Sequence, residues 1–209
     1  MREAAEAAAS LIEPGMRVGL GTGRTVAWLL RVLADRRVRQ LRCVATSPDT
    51  ERDATRLGIA VERFEELDRL DIAIDGADQV TSGRWAIKGG HGAQLREKIV
   101  ASAADRFVII ASEDKLVEVL KPPVPLELER FGVQATLRAL RHATLRTDGP
   151  TTPDKGVLAD YRGAFADPAV LALELDQLPG VVGHGLFGPM LIDQVILGRG
   201  RLGATVAVF

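Results

Sequence analysis

Five short apolar runs in this chain each break off into glycines, hydroxyls or charged side chains, and that punctuation limits the fold more than any other feature. Residues 16–20 (MRVGL) lead into Gly21-Thr22-Gly23-Arg24-Thr25, 41–45 into Thr46-Ser47-Pro48, and 71–74 into Asp75-Gly76-Ala77-Asp78. Residues 85–87 lead into Lys88-Gly89-Gly90, and 107–110 run on to a polar segment at 112–115. Helical patterns separate most of them: an apolar-periodic run over 26–33, a helix over 49–57 stopped by Gly58, and a third over about 93–104. A further short strand is expected at 59–61. Continuous apolar strands that alternate with helices predict a mostly parallel sheet covered on both faces, an α/β architecture. An alanine-rich helix over 3–12, stopped by Pro14 and Gly15, precedes the first strand.

Beyond Lys121 the texture changes, with Pro122, Pro123 and Pro125 marking a boundary. Strands are expected at 126–128, 156–160, 181–182 and 185–187, with helices over 132–141 and 167–177, the second capped by Asp167 with Pro168 in its first position. Two strand–helix–strand passages of this length make a small α+β domain. Segments 193–197 and 204–209 are expected to return to the main sheet. The expected division is residues 1–121 with 196–209 as one domain and 122–195 as the other.

Charge excludes some classes of function. The 27 basic and 28 acidic residues leave a net charge of -1, so no global field draws the chain to nucleic acid or to an anionic membrane. Only five of the basic residues are lysines, and Lys88, Lys98 and Lys115 fall close together in sequence. The single cysteine, Cys43, excludes an internal disulfide framework and sits in an apolar run as an inert buried thiol. No secretory leader pattern and no stretch of about 18 uncharged apolar residues is present, so the expected location is cytoplasmic.

In an open parallel sheet, ligands bind beyond the carboxyl ends of the strands, where the polar clusters of this chain fall. Thr22, Gly23, Arg24 and Thr25 offer hydroxyls, flexible backbone and a helix N-terminus, which suit a phosphate; the alternative is a tight turn with no ligand. The segment is neither a dinucleotide fingerprint, because the third glycine falls at Arg24, nor a P-loop, because the GK[ST] ending is missing. Asp75 and Asp78, spaced by Gly76 and Ala77, can bond to or exchange protons with hydroxyls, or can simply cap backbone. Lys88 beside Gly89, Gly90 and His91 sets an ammonium among flexible amides, an arrangement that stabilises an oxyanion. Glu97 at the start of the next helix reads, by itself, as a surface carboxylate. His91, His142 and His184 lack metal-ligand spacing with one another or with Cys43, and His184 reads as a turn residue.

Taken together, these segments resemble ribose-5-phosphate isomerase, type A, over nearly the whole chain. The matching pieces are VGLGTGRT (18–25), ATSPDT (45–50), LGI (57–59), IDGADQV (74–80), IKGGHGAQLREKIVA (87–101), EDKLV (113–117), DP (167–168) and LPGVVGHGLF (178–187). The resemblance implies a Rossmann-like, mostly parallel sheet with helices on both faces, plus a smaller α+β (ferredoxin-like) domain. It implies that Glu97 is the general base, that Lys115 contacts the substrate, and that Thr22 to Thr25, Asp75 to Asp78 and Lys88 to His91 are binding loops. Ribose 5-phosphate and ribulose 5-phosphate would interconvert through an enediolate, with Lys88 stabilising its oxygen and Asp75, with Asp78, moving hydroxyl protons. No hydride moves, so neither cofactor nor metal is expected; a homodimer or homotetramer is. Arg24, Gln79, His91 and Gln94 depart from the family pattern, and Arg2 is the basic residue of a helix in which some members use a lysine. Two other functions stay open: an isomerase of another sugar phosphate, and a sugar-phosphate-sensing regulator that binds without turnover.

Overall fold

The computed structural model describes residues 1–147, 152–198 and the backbone of Ala207–Val208. In chain order, α1 (Arg2–Ala9) precedes β1 (Arg17–Leu20), α2 (Arg24–Arg36), β2 (Arg42–Ala45), α3 (Pro48–Arg56) and β3 (Ile72–Asp75). A hairpin of β4 (Gln79–Val80) and β5 (Ala86–Ile87) leads to α4 (Gln94–Ser102) and β6 (Phe107–Ser112). There follow β7 (Val124–Leu128), α5 (Val133–Leu140), β8 (Ala143–Leu145), β9 (Val157–Tyr161), α6 (Pro168–Asp176) and β10 (Val181–His184). Last come β11 (Leu186–Phe187), β12 (Gln194–Gly198) and β13 (Ala207–Val208).

The main sheet runs β13-β12-β6-β3-β1-β2, parallel throughout except for β13 at the edge. Numbered along the chain, its parallel strands lie in the order 2-1-3-4-5, so the winding reverses between β1 and β3. The loops that leave these two neighbouring strands diverge there and open a crevice. Strand side chains alternate between two cores. Val18, Leu20, Ile72, Ile74, Val108, Ile110 and Ile196 pack under α1 and α2, while Ala73, Phe107, Ile109, Ala111, Val195 and Leu197 face α4. Burial on both faces is why these strands read as unbroken apolar runs. On α1, Ala4, Ala5, Ala8 and Ala9 are fully buried, small enough to bring the helix close against its neighbours. The Ser47 hydroxyl caps α3 by accepting from the Thr50 N–H at 3.2 Å, with Pro48 in the first position.

The second unit has the order β-α-β-β-α-β, and its antiparallel sheet runs β10-β7-β9-β8, the ferredoxin-like arrangement. Asp167 caps α6 as expected, accepting from the Ala169 N–H at 2.8 Å. Leu126, Leu128, Leu140, Leu171 and Leu175 form its core with Ile87 and Leu186.

The structure corrects the expected course of the chain at two places. The run at 85–87 does not join the parallel sheet: β5 lies in a separate antiparallel sheet, β11-β5-β4. A parallel neighbour needs a crossover of a dozen or more residues, and the segment between β3 and β5 is a tight hairpin instead. The expected strand at 59–61 is a single bridge, Val61 beside Cys43. Of the strand expected over 204–209, Ala207–Val208 pairs with β12 and the remainder lies outside the described residues.

Ile110, fully buried at the centre of β6, tests the sheet's core. Ile110→Ala should lower the unfolding free energy by about 2–5 kcal/mol, measured by urea titration.

Candidate active site

Asp75 ends β3 and Gly21 follows β1, so the two sit side by side where the winding reverses. A Cβ at Gly21 would lie 1.9 Å from the Asp75 Cγ; only a glycine lets this carboxyl cross to the neighbouring loop. There its Oδ1 accepts from the Thr22 N–H at 3.0 Å and the Gly76 N–H at 2.7 Å. Lys88 arrives from the other sheet, at the end of β5. Its Nζ donates to the Gly76 carbonyl at 2.6 Å and lies 2.8 Å from Asp75 Oδ2 and 3.1 Å from Glu97 Oε2. Glu97 points inward from the first turn of α4. Asp75, Lys88 and Glu97 are only 2%, 2% and 4% exposed. The result is a buried row of carboxylate, ammonium and carboxylate. Asp75 Oδ2 and Glu97 Oε2 face the ammonium at ion-pair distance, with no aligned hydrogen bond from any described residue.

Electrostatics follow from that row. Burial, then the nearby Asp75 charge, push Glu97 up to about 8 against the pull of Lys88. Burial also raises Asp75, opposed by Lys88 and the two backbone amides. Burial works against the Lys88 ammonium as well, but the flanking carboxylates outweigh it and hold its pKa above the ordinary lysine value. One ammonium cannot neutralise two carboxylates, so one carboxyl group takes up a proton near neutral pH and can release it, as acid–base chemistry requires.

Over this row lies a cleft of about 180 Å³, below the roughly 300–1,000 Å³ of pockets for larger organic ligands, so it suits a compact one. Thr22, Gly23, Arg24 and Thr25 form one wall and Gly76, Ala77 and Asp78 another. Gly89, Gly90 and His91 form a third, and Lys115 stands opposite with Ser112 and Asp114. The three loops thus line one cleft. At the first wall α2 begins at Arg24 with no side-chain cap, the kind of helix start that suits an anion. Asp78 Oδ2 accepts from the Gly90 N–H at 2.8 Å and so ties two walls together. Lys115 is partly exposed, with the Asp114 carboxylate 3.9 Å away.

The residues that depart from the family pattern separate by position. Arg24 and His91 line the cleft, and the His91 Cε1 lies 3.3 Å from where a Cβ at Gly23 would be. Gln79 turns away, bonded at both ends of its amide to the Lys121 backbone at 2.8 and 2.9 Å. Gln94 is fully buried beneath Gly89, and Arg2 pairs with Glu6 at 2.8 Å instead of reaching the cleft.

Several roles escape the sequence. Thr46 supports the first wall, its hydroxyl 2.8 Å from that of Thr22. Phe187 sets its ring 5.3 Å from Lys88 Nζ and 5.1 Å from Lys98 Nζ, near two cations that sequence places far from it. Lys98 does not enter the cleft; burial lowers it to about 8. His184 is not a turn residue but the buried end of β10, where Nδ1 accepts from the Leu186 N–H at 3.1 Å and Nε2 lies 3.1 Å from Asp176. Burial, with Lys98 nearby, pushes it down to about 4, leaving a neutral ring. Cys43 is the buried thiol expected, pushed up to about 12 by burial.

Glu97 holds its proton more tightly in the folded chain than at its ordinary value of 4.5. Its contribution to stability is therefore complete below that value and is lost as the pH rises through about 8. The unfolding free energy of the protein minus that of Glu97→Gln, measured by urea titration from about pH 5 to about pH 9, should fall with pH. A constant difference would contradict the assignment.

Comparison with known proteins agrees with this geometry. Residues 42–201 match the family model of ribose 5-phosphate isomerase A (phosphoriboisomerase A). The ribose-5-phosphate isomerase A of Sinorhizobium medicae is 42% identical over 213 residues, covering 94% of this chain and 92% of that protein. The crystal structure of ribose 5-phosphate isomerase A from Neisseria gonorrhoeae superposes with a TM-score of 0.92 at 33% identity, covering 100% of this chain and 94% of that one. A D-ribose-5-phosphate isomerase solved in complex with phospho-erythronic acid superposes with a TM-score of 0.91 at 31% identity, covering 100% and 96%. The chain belongs to the ribose 5-phosphate isomerase A family.

Proposed function

We propose that this protein interconverts ribose 5-phosphate and ribulose 5-phosphate through an enediolate. The observation that carries the reading is the buried row of Asp75, Lys88 and Glu97 at the floor of a cleft walled by an uncapped helix N-terminus. Moving the carbonyl by one carbon needs a base that takes a proton from the carbon beside it and returns that proton to the neighbouring carbon. Glu97, raised to about 8 by burial and by Asp75, has the affinity to do both near neutral pH. Lys88 and the amides of Gly89 and His91 stabilise the negative oxygen as it forms, the Gly90 N–H being held by Asp78. Asp75, with Asp78, moves protons between the sugar hydroxyls and assists ring opening. The phosphate rests on Thr22 to Thr25, with Arg24 able to bind it bidentately and Lys115 as a further cation.

A second reading, an isomerase of another sugar phosphate, is favoured by one observation: the His91 ring fills space against Gly23 in the cleft wall. Turnover rates over a panel of pentose and hexose phosphates separate the two. We also propose a homodimer or homotetramer, supported by apolar Val170 and Leu173 on α6 and Val182 on β10, all exposed on adjoining elements. A cytoplasmic location is proposed with it; among the described residues no helix is long and apolar enough to cross a membrane.

Glu97→Gln should lower kcat by about 10²- to 10⁴-fold with ribose 5-phosphate, and a loss of only a few-fold would remove Glu97 from the base role. In the unsubstituted protein kcat/KM should rise with pH as Glu97 loses its proton, levelling above about 8. A profile flat from about pH 6 to about pH 9 would count against a raised base.

A further inference from the structure

Arg146 follows β8 in the ferredoxin-like unit and does not line the cleft. Its guanidinium is nevertheless bonded to the cleft's third wall. Nη1 donates to the carbonyls of Gly89 at 3.1 Å and Gly90 at 3.2 Å, while Nε and Nη2 donate to Asp160 Oδ1 at 3.0 and 2.6 Å. Asp160 lies on β9 and is itself buried, and the Arg146 backbone N–H continues the strand ladder by donating to Leu158 O at 3.0 Å. Both ends of the side chain are thus fixed by the second unit before the fork reaches the loop. In a trans peptide the N–H points opposite to the C=O. Holding the Gly89 and Gly90 carbonyls therefore turns the N–H groups of Gly90 and His91 away from Arg146. The Gly90 N–H meets Asp78 on the far side, as that geometry demands. Gly89 sits at φ +103°, a conformation that leaves its carbonyl free to turn outward to Arg146 and to the Gly92 N–H at 3.0 Å.

We infer that Arg146, anchored by Asp160, is a positioning residue for catalysis: it fixes the Gly89–Gly90 loop, with the Gly90 N–H held on Asp78 and the His91 N–H left to polarise toward the cleft, without touching substrate. The inference rests on the isomerase reading above. Arginine is required because two carbonyls and one carboxylate oxygen must be reached at once by a planar fork, which a single ammonium cannot do.

The test compares Arg146→Met and Arg146→Lys with Arg162→Ala. Arg162 meets the other oxygen of Asp160 at 3.4 Å and the Thr144 hydroxyl at 3.1 Å, and does not bond to the loop. Expected for folded Arg146→Met is a fall in kcat of about 10- to 100-fold with KM changed by no more than about threefold. Affinity for phospho-erythronic acid, whose planar carboxylate resembles the enediolate, should fall in proportion, whereas the Kd of inorganic phosphate should stay within about twofold, both by calorimetry. Arg162→Ala should stay near the unsubstituted rate. If Arg146→Met does not fold, Arg146→Lys reads the same effect: it keeps a cation for Asp160, and a clear loss of kcat supports the role. A kcat within about twofold of the unsubstituted protein in either folded Arg146 variant, or equal loss of both ligands, would overturn it. Absence of turnover in the unsubstituted protein would overturn the isomerase reading and this inference with it.

Discussion

The ammonium of Lys88 is the contact on which the site depends. Taking an ion out of water costs several kcal/mol, and two buried carboxylates without a cation would cost more than the fold can spare. Lys88 offsets part of that cost for Asp75 and Glu97 together, with the Gly76 carbonyl completing its shell. The compensation is incomplete, since two negative groups share one positive one. That residual imbalance raises Glu97 to about 8 and converts an ordinary carboxylic acid into a group able to exchange protons near neutrality. Structural cost and chemical capacity arise from the same burial.

Three successive but differently built parts of the chain hold the row. Asp75 comes from the parallel sheet, Lys88 from a short antiparallel hairpin, and Glu97 from a helix packed against β3 and against β7 and β10 of the second unit. The reversal of winding between β1 and β3 opens the crevice, and the hairpin drops Lys88 into it. Gly21 makes the approach possible by leaving room for the Asp75 carboxyl. The ferredoxin-like unit grips the glycine loop through its carbonyls, so the second unit takes part in the geometry of the cleft and does more than cover it.

Much of this architecture is legible in the order of residues along the chain. Strands such as 107–110 are apolar at every position because alternate residues enter two different cores, and that pattern predicts a covered parallel sheet. That the loops at 22–25 and 75–78 line one cleft is legible because strand ends of such a sheet converge. The membership of β5 is not legible, because a short apolar run has the same composition in a hairpin as in a parallel strand. Only the missing crossover helix distinguishes the two. Glu97 reads, on local grounds, as a surface carboxylate: helix periodicity places it on a face, but what lies opposite that face is set by where folding places the strand ends that carry Asp75 and Lys88.

The sequence by itself determined the class of fold, the strand ends at which the polar loops gather, and the residue types available there, because hydrophobic period and turn chemistry are local properties. Only the tertiary structure decided which of those residues lose contact with water. The pKa of Glu97, the neutral ring of His184 and the grip of Arg146 on the glycine loop all depend on desolvation or on pairings across many tens of residues. Electrostatic free energy depends on distance and dielectric in space, and position along the chain carries little information about either.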